Sequence, residues 1–450
     1  MSHSPSKSDS PSRRDFIRQS GLLAAGAAIA GPLAVSRSAH AAGSDTIKIG
    51  LIGCGGRGTG AAIQALNTSG GEVKIVALAD VKESSVAQAH RGISGQHKDK
   101  IDVPNERKFV GLDGYQKVLE TDCDMVILAT PPGFRPTHFE AAVNAGKNVF
   151  MEKPVAADVA GVNQVLKATA EAKKKNLAVA VGLQRRHERK YMETVAKIQE
   201  GAIGDIILAR AYWNGSRPWL RQRQPGMTET QFQINNWYYF NWLSGDHINE
   251  QHIHNLDVIN WIKNGYPVEA QGMGGLVNQN ETKYGEIFDH HFIEYKYADG
   301  TIMYSQCRHQ PGCWNSVAEY VHGTKGRADV SGSKIYDEAG KVLHDFGKLG
   351  GDGHQQEHHD LFADLRAGRV PNEGEWGAKS TMTAILGRMA TYTGQVVKWD
   401  NALRENSSLA DYQKLLSFDQ EAPVKPLADG SYLQPIPGKG MGSFSVPGKS

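Results

Sequence analysis

The stretch "IKIGLIGCGGRGTGAAIQAL" (47–66) restricts the fold of this chain more than any other. It opens with a short β-branched apolar run, Ile47 to Ile52, of the kind that forms a strand buried on both faces. The run passes directly into Gly53-Cys54-Gly55-Gly56-Arg57-Gly58, a G-x-G-x-x-G, and then into an alanine-rich helical stretch. A second apolar run, "VKIVALAD", ends in Asp80, about 20 residues beyond the glycines. Strand, glycine turn, helix, strand and terminal acid together specify a dinucleotide-binding unit. The glycines let the backbone approach a pyrophosphate, and the helix N-terminus offers it unpaired N–H groups. Asp80 is suited to accept hydrogen bonds from the adenosine ribose hydroxyls and to repel a 2′-phosphate. NAD is therefore expected over NADP, with Lys82 as a nearby opposing charge.

The alternation continues. "CDMVILATPP" reads as a buried strand and turn, and "HFEAAVNAGKNVFMEKPV" as a helix, a glycine stop and a strand ending at Glu152-Lys153-Pro154. Such a series winds a parallel sheet whose ligands bind at the carboxyl ends of the strands. Thr130, Pro131, Glu152 and Lys153 then join Gly53, Gly55, Gly56, Arg57, Gly58 and Asp80 as cofactor-binding candidates. The helix "AGVNQVLKATAEAKKKN" and the strand "LAVAVGLQ" complete a domain over 46–185. At 450 residues the chain is too long for one ordinary core. From Asp205 onward "DIILARAYWN", "VEAQGMGGLV", "DHHFIEYKYADGTIMYSQCRH" and "SVAEYVHGTKGRADVSG" read as strands of an open antiparallel sheet, with Ala298-Asp299-Gly300 as a hairpin turn. A second α/β domain over 186–430 and a tail over 431–450 follow.

The glycine motif, Asp80, "AGKNVFMEKP" and the H-x-x-D of His254 to Asp257 together resemble the Gfo/Idh/MocA family, the glucose–fructose oxidoreductase and inositol dehydrogenase type. That resemblance implies an α/β fold: an N-terminal Rossmann domain plus a C-terminal α/β domain with a large, mostly antiparallel open sheet. It further implies a bound nicotinamide cofactor, a carbohydrate or polyol substrate, and a homodimer or homotetramer formed through the open sheet.

The densest polar stretch is "SGDHINEQHIHNLD" (244–257). If Ser244 or Asp246 caps a helix, Glu250, His254 and Asp257 share one face, with His247 beside them. The H-E-x-x-H of zinc proteases is absent, and no metal is assigned. Ligation of a metal by His247, Glu250 and His254, or a purely structural polar face, are the alternatives. The resemblance aligns His254 and Asp257 with the family's H-x-x-D and places Glu250 where relatives commonly carry Asp. Alcohol oxidation needs a base for the hydroxyl proton, which suits His254, and a cation for the developing alkoxide, which suits Lys153. Glu250 would orient a neighbouring hydroxyl or tune His254. Arg186, Tyr191, Trp213, His247 and Asp257 are the expected substrate contacts. The insert "WNGSRPWLRQRQPGMTETQFQINNWYYFNW" (213–242) either stacks on sugar faces or knits a long loop or an oligomer interface.

At the N-terminus, "SRRDFIRQS" precedes an apolar run of about fifteen residues, shorter than the roughly 20 that span a bilayer. Arg13-Arg14 with Phe16 and Arg18 resembles a twin-arginine export signal, and Ala39-His40-Ala41 fits a cleavage site, which makes 1–41 a signal peptide. Export of folded protein predicts a tightly held cofactor, because free NAD is scarce outside the cytoplasm. It also argues against an obligatory disulfide between Cys307 and Cys313. A formal charge of +2 carries no footprint of nucleic-acid binding, and no membrane span is expected after cleavage. Three functions are consistent with these residues. The first is an NAD-dependent sugar or polyol oxidoreductase. The second is an NAD-dependent glycoside hydrolase working by transient oxidation, elimination and re-reduction. The third is a non-catalytic sugar-binding protein, against which Lys153 and His254 argue.

Overall fold

Six strands pair in parallel in the order β3-β2-β1-β4-β5-β6: β1 (Ile47–Ile52), β2 (Val73–Asp80), β3 (Lys108–Val110), β4 (Met125–Leu128), β5 (Asn148–Met151) and β6 (Val179–Val181). This computed structural model describes residues 46–438, Leu416 excepted, so the expected signal peptide and residues 439–450 lie outside the described residues. Strands β4 and β6 are buried throughout, as expected of apolar runs covered by helices on both faces. Strand order reverses between β1 and β4, and a crevice opens there at their carboxyl ends. Gly53 ends β1 at φ 98°, where a Cβ would lie 2.6 Å from the Ala129 carbonyl carbon. At Gly58 a Cβ would lie 1.9 Å from the Gly53 oxygen. Both glycines are therefore required by packing of the turn against its own helix and the next strand.

The second sheet has nine strands: β7 (Ile206–Gly215), β8 (Glu269–Gly275), β9 (His290–Lys296), β10 (Ile302–His309), β11 (Ser316–Gly323), β12 (Gly326–Asp329), β13 (Lys334–Asp337), β14 (Val342–Asp345) and β15 (Val397–Lys398). Their order is β14-β13-β12-β11-β7-β10-β9-β8-β15, antiparallel except for the β7–β10 pair. The Ala298-Asp299-Gly300 turn joins β9 to β10, with Gly300 at φ 88°. Strands β13, β14 and β15 carry no alternating apolar pattern that marks them in advance; β14 is largely exposed. Met303, Ser305 and Cys307 of β10 point inward, buried under the helices. All four cysteines are free, Cys307 in the core and Cys313 near Gln310.

The two sheets share a core. Helix Gly374–Thr393 is almost wholly buried and touches both β6 and β8. Leu361 and Phe362, from helix Gly353–Arg366, sit in the same apolar cluster as Ile49 and Phe150. Late segments thus return to cover the first sheet.

Candidate active site

Gly55 and Gly56 face open space: a Cβ on either would meet nothing within 4 Å. The turn thus leaves a cradle for a pyrophosphate at the N-terminus of helix Gly56–Leu66. The adjoining cleft is lined by Gly53, Gly55, Asp80, Thr130 and Pro131. Asp80 accepts the Cys54 N–H at 2.8 Å and the Lys82 N–H at 2.9 Å, so it braces the turn while forming part of the cleft wall. Burial lifts its carboxyl above the ordinary range, against the pull of those N–H donors. Arg57 is turned from the cradle onto Glu152, Nε to Oε1 2.7 Å. Glu152 is buried, and a Cβ at Gly182 would lie 2.7 Å from its Oε2.

Arg135 was not singled out in the sequence, and its position explains how two loops are held. Its guanidinium donates to the carbonyls of Thr130 and Pro154, tying the turn after β4 to the Glu152-Lys153-Pro154 turn after β5. Burial lowers its pKa to about 10, which leaves it charged at neutral pH. The available signal was a basic residue just after the "PPGF" turn, at the start of helix Arg135–Asn144.

Lys153 reaches across from β5 to the second sheet's side. Its Nζ lies 2.5 Å from the Glu250 carbonyl oxygen and 3.3 Å from Glu250 Oε1. Burial raises the Glu250 pKa, and Lys153 opposes that rise. His254 stacks on Trp213 of β7, ring centroids 5.9 Å apart. Burial, then the Lys153 and Arg185 cations, hold its pKa well below the ordinary imidazole value. Glu250 Oε2 and His254 Nδ1 have no hydrogen-bond partner among the described residues. Lys153 and Glu250 are thus paired, and the Lys153 charge is near enough to His254 to help depress its pKa.

The polar stretch does not form the single helix expected of it. Asp246 accepts the His247 N–H and caps a short helix, His247–Glu250; a second helix begins at Ile253. His252 sits at the break and bonds Ser305 Oγ of β10 at 2.7 Å. The break places His254 in the first turn of the second helix.

Four of the five expected substrate contacts are engaged within the protein itself. Arg186 holds Asp257 in a bidentate pair, 2.9 and 2.8 Å, while Ser380 Oγ donates to Asp257 at 2.6 Å. The Arg186 guanidinium also lies over Trp376 and Trp261, 4.2 and 5.3 Å from the ring centroids. Both side chains are engaged with each other and have little capacity left for a ligand. Tyr191 is buried and donates to Glu319, which also receives Arg185 and Asn255. His247 is fully buried among His291, His309 and Asp246. Trp213 alone of the five lies against the candidate base.

The insert knits itself together: Trp219 packs on Trp237 at 6.1 Å, and Tyr238 on Tyr239 at 5.5 Å. It also reaches the nucleotide cleft, which Arg221, Ile234 and Trp237 help to line. Lys82 donates to Asn235 of the insert at 2.5 Å.

Residues 47–182 match the family described as oxidoreductase, NAD-binding Rossmann fold, and residues 191–329 match the GFO/IDH/MocA C-terminal domain. The chain is 26% identical over 233 residues to inositol 2-dehydrogenase from Acidothermus cellulolyticus, covering 52% of this chain and 58% of that one. It is 26% identical over 312 residues to scyllo-inositol 2-dehydrogenase (NADP(+)) from Bacillus subtilis, covering 68% and 71%. With the Acidothermus enzyme, then, the match spans little more than half of the relative's length. Among solved structures, aldose-aldose oxidoreductase from Caulobacter crescentus shares the fold at TM-score 0.62 and 18% identity, covering 78% of this chain and 99% of that one. Myo-inositol 2-dehydrogenase from Lactobacillus plantarum does so at 0.59 and 20%, with coverage of 78% and 99%. With two family descriptions matched in succession over 47–182 and 191–329, this chain belongs to the Gfo/Idh/MocA oxidoreductase family.

Proposed function

We propose that this protein is an NAD-dependent oxidoreductase acting on a hydroxyl of a sugar or polyol. The observation that carries the reading is the Lys153–Glu250 pair, at the turn that Arg135 ties to the cleft residue Thr130, with the neutral His254 within reach of the Lys153 charge. The open cradle at Gly55 and Gly56 fits a pyrophosphate, and Asp80 in the cleft wall favours the unphosphorylated ribose of NAD. A nicotinamide bound there supplies the acceptor for the substrate's carbinol hydrogen. Lys153 Nζ donates to the substrate oxygen and holds its charge as the proton leaves. His254, kept neutral by burial and by two nearby cations, receives that proton on a ring nitrogen. Glu250 fixes the Lys153 ammonium and offers Oε2 to a neighbouring hydroxyl. The inositol 2-dehydrogenases among its relatives support the polyol class.

Three further parts of the reading follow. The cofactor is held tightly, supported by the insert residues Arg221, Ile234 and Trp237 at the cleft. The protein is exported through the Arg13-Arg14 signal, with domains over 46–185 and 186–430. It is a homo-oligomer through the second sheet, where Met273 and Phe292, neighbours in register on β8 and β9, are exposed at 72% and 37%.

One experiment tests the core of this reading: denature the purified protein, assay released NAD(H), and follow the bound nucleotide's absorbance across a sugar and polyol panel. Stoichiometric nucleotide that is reduced by a panel member supports it. No bound nucleotide and no uptake of added NAD would overturn it. Nitrophenol released from nitrophenyl glycosides without accumulating NADH would replace it with the redox-neutral hydrolase.

A further inference from the structure

Asp246, His247 and His291 form a sealed polar cluster that the proposed reaction does not use. They are 0%, 0% and 2% exposed. Each offers one ligating atom, and these atoms all lie within 4.8 Å of one another. The cluster joins β9, which carries His291, to the turn that opens helix His247–Glu250.

The carboxylate is aimed inward by several contacts. Asp246 accepts the His247 N–H, the Phe288 N–H at 3.2 Å and the Tyr392 hydroxyl at 2.5 Å. Its backbone stands at φ 74°, a region that non-glycine residues seldom occupy and that recurs where a site holds a residue in place. His247 is the second observation. Both its ring nitrogens are buried and have no hydrogen-bond partner among the described residues, with Nε2 3.8 Å from Asp246 Oδ1. An imidazole so placed has lost its hydration without recovering a bond. His291 is the third: its Nδ1 lies 2.9 Å from Thr391 Oγ1 and its Nε2 3.1 Å from Asp246 Oδ2, so its ring reaches the same carboxylate that His247 adjoins.

We propose that Asp246, His247 and His291 bind a divalent transition-metal ion of the zinc class. Two imidazole nitrogens and one carboxylate oxygen are a donor set such ions prefer over calcium or magnesium. A cation there gives the orphaned His247 imidazole a coordinate bond and is shared with Asp246 and His291. Its role is to position: it pins the start of the short helix to β9, and that helix ends at Glu250. This consequence for Glu250 rests on the function proposed above; the binding of the metal does not.

The test uses the full, untagged chain. Metal content is measured by mass spectrometry on the purified protein, which is then stripped by a chelator and titrated with cobalt(II), read by its visible d–d absorption. About one zinc-class ion per chain and a saturable cobalt band are expected. His247→Gln and His291→Gln should abolish both while keeping the parent's circular dichroism spectrum, which reports an intact fold. His252→Gln, whose ring bonds Ser305 instead, should keep the metal. Absence of bound metal together with no cobalt band in the parent chain would overturn the proposal. So would cobalt uptake undiminished by His247→Gln, which would mark surface binding. Metal present with no dehydrogenase activity on any substrate would leave the site standing and count against the functional reading alone.

Discussion

Lys153–Glu250–His254 and Arg186–Asp257 each pair a cation with a carboxylate, and both looked like parts of one site. They differ in how far their polar groups are satisfied. Asp257 receives three donors, two from Arg186 and one from Ser380, and Arg186 is further covered by two tryptophans. Glu250 Oε2 and His254 Nδ1 have no hydrogen-bond partner among the described residues, and Glu250 adjoins the Lys153 cation. An ion pair with every lone pair engaged is an anchor. A group that is buried yet uncommitted has capacity for a ligand, because leaving its hydrogen bond unmade is costly. On the proposed function, the H-x-x-D pattern joins two jobs, chemistry at His254 and fixation of the helix at Asp257.

Mutations should separate the two. The largest effect is expected at the first group: His254→Ala or Lys153→Ala should lower kcat by about 10²–10⁴ with bound nucleotide retained, read by single-turnover kinetics. Asp257→Ala strands a buried guanidinium and should destabilise the protein by about 3–5 kcal/mol, read by chemical denaturation. Recovery of its kcat at low temperature, where the variant is folded, would sharpen the division; a kcat as low as that of His254→Ala would break it. Trp213→Leu removes the ring stacked on His254 and should cost about 0.5–1.5 kcal/mol in kcat/KM. The smallest effect concerns pH. Only the neutral imidazole accepts a proton, and burial with Lys153 and Arg185 depresses the His254 pKa. Activity should therefore be lost as pH falls through a value below the ordinary imidazole range, about 6.5, and stay level above it. An acid limb at or above that value in the pH profile of kcat/KM would count against His254 as the base.

Much of the fold was legible because it depends on local physics. β-Branched runs without polar interruption make buried strands, and Gly53 and Gly58 stand where any Cβ would collide with backbone. The second sheet was legible where strands alternate, as in β10, and not in the short β13, β14 and β15. Lys153, Glu250 and His254 were singled out by the family resemblance and by the chemistry of their side chains, and the structure pairs Lys153 with Glu250. Arg135 was missed because its task, bonding two carbonyls from separate loops, leaves no spacing signature. The helix break at Gln251–His252 was missed because helical periodicity continues across it, while the bond from His252 to Ser305 comes from a distant strand.

From the sequence alone came the nucleotide fold, the edge of the sheet where ligands bind, and which residue types could carry out the chemistry. These follow from sterics and hydropathy within a few tens of residues. Only the tertiary structure decided which polar groups are used up and which remain available. Asp257 is engaged by Arg186, 71 residues away, and Asp246 meets His291, 45 residues away. Hydrogen-bond satisfaction belongs to the packed whole, since each donor and acceptor is matched by whatever the fold brings beside it.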